Sequence, residues 1–478
     1  MSETLTKQNK MGVLPISKLI ITMSLPIMLS MLVQALYNIV DSIFVAKVSD
    51  TALTAVSLAF PIQNLMIAIG TGTGVGINAL LSRSLGEKNY DTANRAAHNG
   101  LLLAVFSAVL FLIFGLFFPG LFFRAQSDNP TVIEYGTDYL RICTVFSLGV
   151  FGQIATERLL QATGKTIYTM FIQGTGAVIN IILDYCLIFG KFGLPEMGVS
   201  GAAAATVIGQ SVACCMGIFF NLKVNHELTF SLKAMRPHLP TIGKIYAVGI
   251  PSILLASLSS VMTFCMNTML RAFGEVAINV FGVYFKLQSF VFMPVFGLNN
   301  GVVPIIAFNF GAGNTPRIMK AIKLAMVYAV SLMVIGFSVF QLAPQALLRM
   351  FDADAQMLAI GVPALRLISI SFLFAGLCII SISSMQALGH GVTSLIISAT
   401  RQLVFLIPLA FLFSRTGNVD RIWLAFPCAE VITVVLCIFF LRRIYKHQLV
   451  HLRPAEDAAE PTTIPETAGS PDVSAEVS

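Results

Sequence analysis

The chain alternates between long apolar runs and short polar breaks. From Lys18 to Arg443, apolar runs of about 20 residues follow one another, and each is long enough to cross the hydrocarbon core of a membrane as an α-helix. Twelve spans are predicted, over residues 18–45, 52–80, 96–118, 133–157, 166–190, 198–221, 241–270, 276–308, 321–343, 357–386, 392–413 and 421–441. The pattern therefore predicts an all-α membrane protein.

Composition and charge support this prediction and suggest an orientation. Hydrophobic residues make up 56% of the 478 residues and charged residues only 11%, against roughly 25% charged in soluble domains. The net charge of +7 comes from basic residues in short loops, not from a patch, so nucleic-acid binding is not expected. Of the 30 Lys and Arg residues, 19 fall on the side of the termini and seven on the other. The positive-inside rule thus predicts that both termini are cytoplasmic.

The sequence repeats itself at an offset of 225 residues without a gap. Matched pairs include Pro26 and Pro251, Gln63 and Gln288, Gly76 and Gly301, Gly86 and Gly311, Asn89 and Asn314, Pro119 and Pro344, and the QAxG strings at 161–164 and 386–389. Each half holds six spans, an even number, so both halves enter the membrane in the same direction. We expect a cytoplasmic N-terminus over 1–17, six-helix bundles over 18–222 and 241–445, a cytoplasmic linker over 223–240, and a disordered cytoplasmic tail over 446–478.

Two acids of the first half lie where lipid is expected. A charge at the centre of a membrane helix costs roughly 2.5–3.5 kcal/mol, so such residues face a partner or a cavity. Asp41 lies six residues before Lys47, and Asp184 lies seven before Lys191, on two spans that run in the same direction. At about 1.5 Å per residue, both carboxyls are predicted roughly 10 Å below the same membrane boundary.

Two uncharged polar residues are predicted close to these acids. Asn180 precedes Asp184 by four residues, which places both side chains on one helix face, and Thr206 falls at similar depth on the next span. Several oxygen ligands at one depth would suit Na⁺, and a pair of carboxyls could instead share a proton. Asp41, Asn180, Asp184 and Thr206 are therefore the predicted cation- or proton-coupling site, unless they only fix helix packing.

The second half carries different charges. Lys286, Arg401 and Glu430 lie within predicted spans, whereas the repeat equivalents of the first-half acids are Met266 and Leu409. Glu430 could attract a cationic substrate, or it could neutralise Arg401 or Lys286, and the sequence does not choose between these roles.

Further residues are candidates for a substrate cavity and for hinges. The predicted cavity residues are Tyr37, Asn38, Tyr139, Lys286 and Glu430, with Met and Phe residues that could equally be core. Pro26 and Pro251 are predicted hinges, because each removes a backbone hydrogen bond inside a long span. Glycines at 70, 72, 74 and 76 lie mid-span, and close helix packing is expected there instead of a phosphate loop. No catalytic motif is present, so neither an enzyme nor a cofactor is expected.

Several strings together carry a family resemblance. They are LP at 25–26, YNIVDSIF at 37–44, NIILD at 180–184, GVSGAA at 198–203, FKLQSF at 285–290 and GLNNGVVP at 297–304. Over residues 15–445 the chain resembles the multidrug and toxic compound extrusion (MATE) family, most closely its DinF-like branch with MepA-type exporters. The resemblance implies a V-shaped pair of six-helix bundles and an ion site at Asp41, Asn180, Asp184 and Thr206, with Tyr139 near it.

The function implied is secondary active multidrug efflux from the bacterial plasma (inner) membrane. Amphipathic, often cationic, drug-like compounds would leave by alternating access in exchange for Na⁺ or H⁺, and the protein would act as a monomer in the lipid bilayer. The alternative is a flippase or exporter of lipid-linked or other metabolites within the same superfamily. The sequence does not decide between Na⁺ and H⁺.

Overall fold

The computed structural model describes residues 9–231, 235–351 and 353–452, and the described chain is helical without β-strands. A helix is the form that lets a single segment satisfy its own backbone hydrogen bonds where no water is available. Ten helices are long and apolar enough to cross a membrane, and two bent helix pairs raise the number in this part of the chain to twelve. The predicted all-α architecture is confirmed.

Six of these spans form the first half. They are α1 (Ile16–Ala46), α2 (Asp50–Gly86), α3 (Tyr90–Phe117), α4 (Pro130–Val145 and Leu148–Ala162), α5 (Thr166–Ile188) and α6 (Gly198–Val224). The two parts of α4 meet at a bend of 43°. Short helices precede α1 at Lys10–Val13 and follow α3 at Pro119–Arg124.

The second half repeats this order. It comprises α7 (Leu239–Leu270), α8 (Glu275–Gly311), α9 (Thr315–Leu342), α10 (Ala355–Ser369 and Phe372–Ala387, bent by 47°), α11 (Gly391–Ala399, a π-helical segment Thr400–Leu406, and Ile407–Ser414) and α12 (Ala425–Ile444). Short helices lie at Pro344–Arg349 and Val419–Trp423. A second π-helical segment, Tyr445–Leu449, continues α12.

Matched residues perform matched structural tasks in the two halves. Asn89 caps the N-terminus of α3 by accepting a hydrogen bond from a backbone N–H, and Asn314 caps α9 in the same way. Pro119 and Pro344 each begin a six-residue helix, at the position where a missing N–H costs nothing. The predicted parallel repeat of two six-helix bundles is therefore visible element by element.

Two boundaries differ from the predicted ones in a way that changes an assignment. The span predicted over 133–157 continues to Ala162, so Glu157 and Arg158 lie inside a helix, and the assignment of Arg158 to a loop was wrong. Tyr445–Leu449 is helical at the start of the predicted tail, while the rest of that prediction, over 453–478, lies outside the described residues. Residues 1–8 of the predicted N-terminal segment and 232–234 of the predicted linker also lie outside them.

The halves meet at the end of the bundle that carries the chain termini, here called the terminal end, and diverge toward the other. A Cβ at Gly76 would collide with the backbone of Ile245 on α7, and one at Gly86 would collide with Phe308 on α8. The hydroxyl of Ser24 donates to the carbonyl of Leu298 at 3.1 Å. The close packing expected at the α2 glycines is confirmed, and it produces the V-shaped arrangement.

The N-terminal helix Lys10–Val13 bridges the two halves at this end. Arg317 of α9 donates to the carbonyls of Met11 at 2.9 Å and Leu14 at 2.8 Å. In the other direction, Asn9 donates to both carboxylate oxygens of Glu227, which follows α6, at 3.0 and 2.9 Å. Burial raises the pKa of Glu227, and nearby Lys165 opposes that rise. The N-terminal helix thus fastens the first half to the second.

Replacement of Gly86 by alanine tests the contact between halves. Alanine normally stabilises a helix relative to glycine by roughly 0.5–1 kcal/mol. In Gly86→Ala the new methyl group meets the backbone of α8, so we expect a destabilisation of about 1–3 kcal/mol, measured as a lower thermal unfolding midpoint. Gly243→Ala is the control, because a Cβ there meets nothing within 4 Å. Equal shifts in the two variants would contradict the proposed contact.

Replacement of Arg317 by glutamine tests the N-terminal bridge. The change removes hydrogen bonds from a charged donor, each worth roughly 1.5–3 kcal/mol. We expect the backbone amides of residues 11–14 to exchange with solvent deuterium about tenfold faster or more, as a loss of 1.4 kcal/mol predicts. Lys320→Gln, one turn further along α9 and exposed, should leave this exchange rate unchanged.

Candidate ion-coupling and substrate sites

The carboxyl groups of Asp41 and Asp184 lie next to each other. Asp41 lies on α1 and is half-buried, whereas Asp184 on α5 is fully buried. Two carboxylates in contact inside a membrane repel each other unless a proton or a metal cation lies between them. The structure therefore brings together the two acids that the sequence predicted at one depth.

Asn180 and Thr206 complete this group. The Asn180 amide lies 3.2 Å from the Thr206 hydroxyl. In the orientation that satisfies all of its neighbours, the amide nitrogen donates to Asp184 Oδ2 at 3.2 Å and the amide oxygen accepts from the Thr206 backbone N–H at 3.1 Å. Asn180 thus holds one oxygen of Asp184 and ties α5 to α6.

One oxygen of each carboxyl remains available. Asp41 Oδ1 and Asp184 Oδ1 are buried and have no hydrogen-bond partner within the described residues. Buried acceptors without a partner are costly, and a hard cation such as Na⁺ or an added proton would remove that cost. The donor set of Asp41, Asn180, Asp184 and Thr206 therefore fits either coupling ion.

An apolar cluster covers the carboxyl pair on the side away from the terminal end. It contains Val45, Ala52, Ala59, Phe123, Tyr139, Leu140, Cys143, Ile188, Val199, Ala202 and Ala203. Val45 and Ile188 lie one helical turn beyond Asp41 and Asp184. Tyr139 is buried in this cluster, and its hydroxyl accepts a hydrogen bond from Gln63 at 3.1 Å.

A cavity of about 270 Å³ adjoins the ion-site residues toward the middle of the molecule. Tyr37, Asn180 and Thr206 line it from the first half, and Phe296 and Asn300 of α8 line it from the second. The cavity therefore lies between the halves and next to the carboxyl pair. Its apolar wall also includes Ile27, Met31, Ile67, Val150 and Met293.

The predicted substrate-cavity residues do not form one site. Tyr37 lines the cavity between the halves, and Glu430 lines a second cavity within the second half. Lys286 is exposed on α8, with its Nζ 5.9 Å from the ring centroid of Phe351. Asn38 is exposed and lines none of the cavities described here.

A profile of the MatE family matches the sequence twice, over residues 26–186 and 251–412. The matches begin at Pro26 and Pro251, the pair that the internal repeat aligns, and together they cover more than half of the chain. The chain belongs to the MatE family. It is accordingly a multi-pass membrane protein.

Relatives and solved structures cover nearly the whole chain. The multidrug export protein MepA of Staphylococcus haemolyticus is 28% identical over 427 residues, which are 89% of this chain and 93% of MepA. A FAD transporter of Shewanella oneidensis is 26% identical over 434 residues, which are 90% of this chain and 95% of that protein. A solved outward-facing structure of a multidrug resistance MATE family transporter superposes with a TM-score of 0.87 at 23% identity, covering 93% and 99% of the two chains.

The prolines that begin the two family matches are buried at the level where the halves touch. Pro26 lies on α1 between Ser24 and Met28, both of which pack against glycines of α8. Pro251 lies on α7 two residues before Ile253, which packs against Gly72 of α2. A bend at either proline would therefore change the contact between the halves.

The cavity between the halves contains a polar group that was not predicted from the sequence. Glu157 is buried and accepts hydrogen bonds from Gln153 at 2.9 Å and Gln173 at 2.8 Å. Its neighbour Arg158 donates to Gln161 at 2.9 Å and, across the two halves, to Asn300 at 3.1 Å. Gln153 and Gln161, one turn before Glu157 and three residues after Arg158, were the available signal in the sequence. Polar residues three or four positions apart share one face of a helix, so this spacing indicated that the helix continues past Glu157.

A double-mutant cycle at Arg158 and Asn300 tests this link between the halves. Hydrogen bonds from a charged donor contribute roughly 1.5–3 kcal/mol, so Arg158→Ala and Asn300→Ala should be non-additive by at least about 1 kcal/mol in the free energy of unfolding. The readout is thermal unfolding of the two single variants and the double variant. Additive losses would show that the residues are independent.

Proposed function

We propose that this protein is a secondary active multidrug efflux transporter that exports amphipathic, often cationic, organic compounds in exchange for Na⁺ or H⁺. One observation carries the proposal. Asp41 and Asp184 contact each other, keep an unpartnered oxygen each, and adjoin a cavity that both halves line. Ion binding and substrate binding would therefore act on neighbouring atoms.

Coupling would run through α1. This helix carries Asp41, and one turn earlier it carries Tyr37, which lines the cavity. A cation or proton that neutralises the carboxyl pair removes the repulsion between α1 and α5, and α1 can respond by bending near Pro26, where a backbone hydrogen bond is missing. Because Ser24 and Met28, two residues before and after Pro26, contact α8, the same bend would loosen the closed terminal end and permit alternating access.

The cavity between the halves suits amphipathic cations. Its apolar wall includes Met31 and Met293, whose flexible thioether side chains adapt to ligands of different shape. Glu157 adds a buried carboxylate to this wall. The MepA relatives, named multidrug export proteins, support this substrate class.

A second candidate function is export of lipid-linked or other metabolites by the same fold. The FAD transporter relative favours it, since that protein matches over 90% of this chain. The two candidates share the coupling site and differ only in what the cavity accepts.

The remaining features of the proposal concern the oligomeric state, the membrane, the orientation and the partners of the protein. The protein would work as a monomer in the bacterial plasma membrane, with both termini in the cytoplasm, as the distribution of Lys and Arg supports. Its partners would be the bilayer and drug-like compounds. No cofactor is needed beyond the coupling ion, and no enzymatic step is needed.

Transport by the purified protein in lipid vesicles tests the proposal. A fluorescent cationic dye is supplied, and Na⁺ and H⁺ gradients are imposed separately. One gradient should drive dye movement by the intact protein. Asp41→Asn and Asp184→Asn should each reduce that rate by about tenfold or more, the factor that corresponds to 1.4 kcal/mol of lost coupling. Asp50→Asn, which changes an exposed acid in the first turn of α2, is the control.

Each result has a distinct meaning. Normal transport by Asp41→Asn and Asp184→Asn would refute the coupling site. No dye movement under either gradient, together with gradient-driven movement of a flavin nucleotide, would favour the metabolite exporter. The gradient that drives transport identifies the coupling ion.

A further inference from the structure

A second cavity lies within the second half and takes no part in the proposed coupling. Its volume is about 530 Å³, within the range of roughly 300–1,000 Å³ typical of small-molecule sites. Helices α7, α8, α10, α11 and α12 form most of its wall, and Val75 of α2 completes it. Met293 and Phe296 of α8 line both this cavity and the one between the halves, so they form the partition.

A partly buried ion pair lies in its wall. Arg401 Nη1 of α11 donates to Glu430 Oε1 of α12 at 2.6 Å, so the basic partner of Glu430 is Arg401 and not Lys286. The second carboxylate oxygen, Glu430 Oε2, has no hydrogen-bond partner among the described residues, although Glu430 is only 9% exposed. Arg401 uses only Nη1 for this contact, which leaves its other N–H groups available.

Gln402 adds a further unpartnered acceptor. It is 4% exposed and lines the cavity, and no hydrogen-bond donor within the described ranges reaches its Oε1. Consecutive residues of an α-helix point about 100° apart, yet Arg401 and Gln402 both reach the cavity. They lie in the π-helical segment Thr400–Leu406, and π-helical segments occur frequently at functional sites.

The charges and rings of the cavity define the ligand that would fit. Glu430 is already balanced by Arg401, so a ligand with one net charge would bring an uncompensated charge into a low-dielectric site. A ligand with both an ammonium and a carboxylate brings no net charge into the site. The walls include Tyr284, Phe285 and Phe426, whose rings favour a flat aromatic body.

We propose that this cavity binds an aromatic zwitterion. Its ammonium group donates to Glu430 Oε2 and Gln402 Oε1, and its carboxylate accepts from the free N–H groups of Arg401. The ligand thus extends the existing ion pair into a four-charge arrangement in which every buried charge has a partner.

Three dyes with one fluorophore and different charges test this assignment. Nε-dansyl-lysine carries an ammonium and a carboxylate, dansylcadaverine carries only the ammonium, and 6-(dansylamino)hexanoic acid carries only the carboxylate. Binding to the full-length protein in lipid nanodiscs is measured by dansyl fluorescence without any ion gradient. We expect the zwitterion to bind at least tenfold more tightly than either singly charged dye. Equal affinities, or no binding of the zwitterion, would overturn the proposal.

Two double variants test whether dansyl-lysine binds in this cavity. Arg401→Gln/Glu430→Gln removes both charges together, so no unpaired charge is left buried, and should weaken binding of dansyl-lysine at least tenfold. Arg415→Gln/Asp420→Asn removes the arginine that follows α11 and an acid of the short helix Val419–Trp423, both outside the cavity, and should bind as the unmodified protein does. Unchanged affinity in the first double variant would place the dye elsewhere and refute the site.

Folding is controlled separately. Each variant must have the same size-exclusion elution volume as the unmodified protein and a similar thermal unfolding midpoint. Gln402→Leu, which removes one unpartnered acceptor and keeps the ion pair, provides a second test, with an expected weakening of about fivefold. Because no gradient is used, failure of ion coupling at Asp41 and Asp184 leaves this measurement unaffected, and a failure here leaves the proposed antiport intact.

Discussion

The contact between the backbones of the two halves at the terminal end is the constraint on which the other features depend. Lipid gives little hydrophobic drive for helices to associate, so membrane bundles rely on close packing where small residues permit it. Gly76 and Gly86 of α2, and Gly301 and Gly311 of α8, supply these positions, and each is aligned with another by the repeat. With this end closed, the halves diverge toward the other end and leave a cavity between them.

The repeat supplies a symmetric framework and leaves the chemistry asymmetric. At the repeat equivalents of Asp41 and Asp184 the second half has Met266, which is fully buried, and Leu409. Its own charges, Arg401 and Glu430, pair with each other instead. A carboxyl pair lacks a counter-charge and responds to a cation, whereas an ion pair is neutral by itself. One half is thereby suited to ion binding and the other to a neutral or zwitterionic ligand.

α1 connects the features of the first half. It contains Pro26 between two residues that contact α8, Tyr37 in the cavity wall and Asp41 in the carboxyl pair. A helix transmits displacement along its axis because its hydrogen bonds are internal, and a proline lowers the cost of bending at one point. The N-terminal helix, held by Arg317 and Glu227, adds a second connection across the same closed end.

The sequence by itself determined the spans and the acids Asp41 and Asp184, because the cost of a polar residue in lipid depends on the residue and its place in an apolar run. It also determined the repeat, because matched residues at a fixed offset are a property of the sequence alone. Only the tertiary structure decided that Glu430 pairs with Arg401 and not with Lys286, and that Arg158 lies inside a helix and reaches Asn300 of the other half. Partners of this kind depend on the rotation and bending of each helix. Contacts between helices set that geometry, and hydropathy along a single chain carries no record of them.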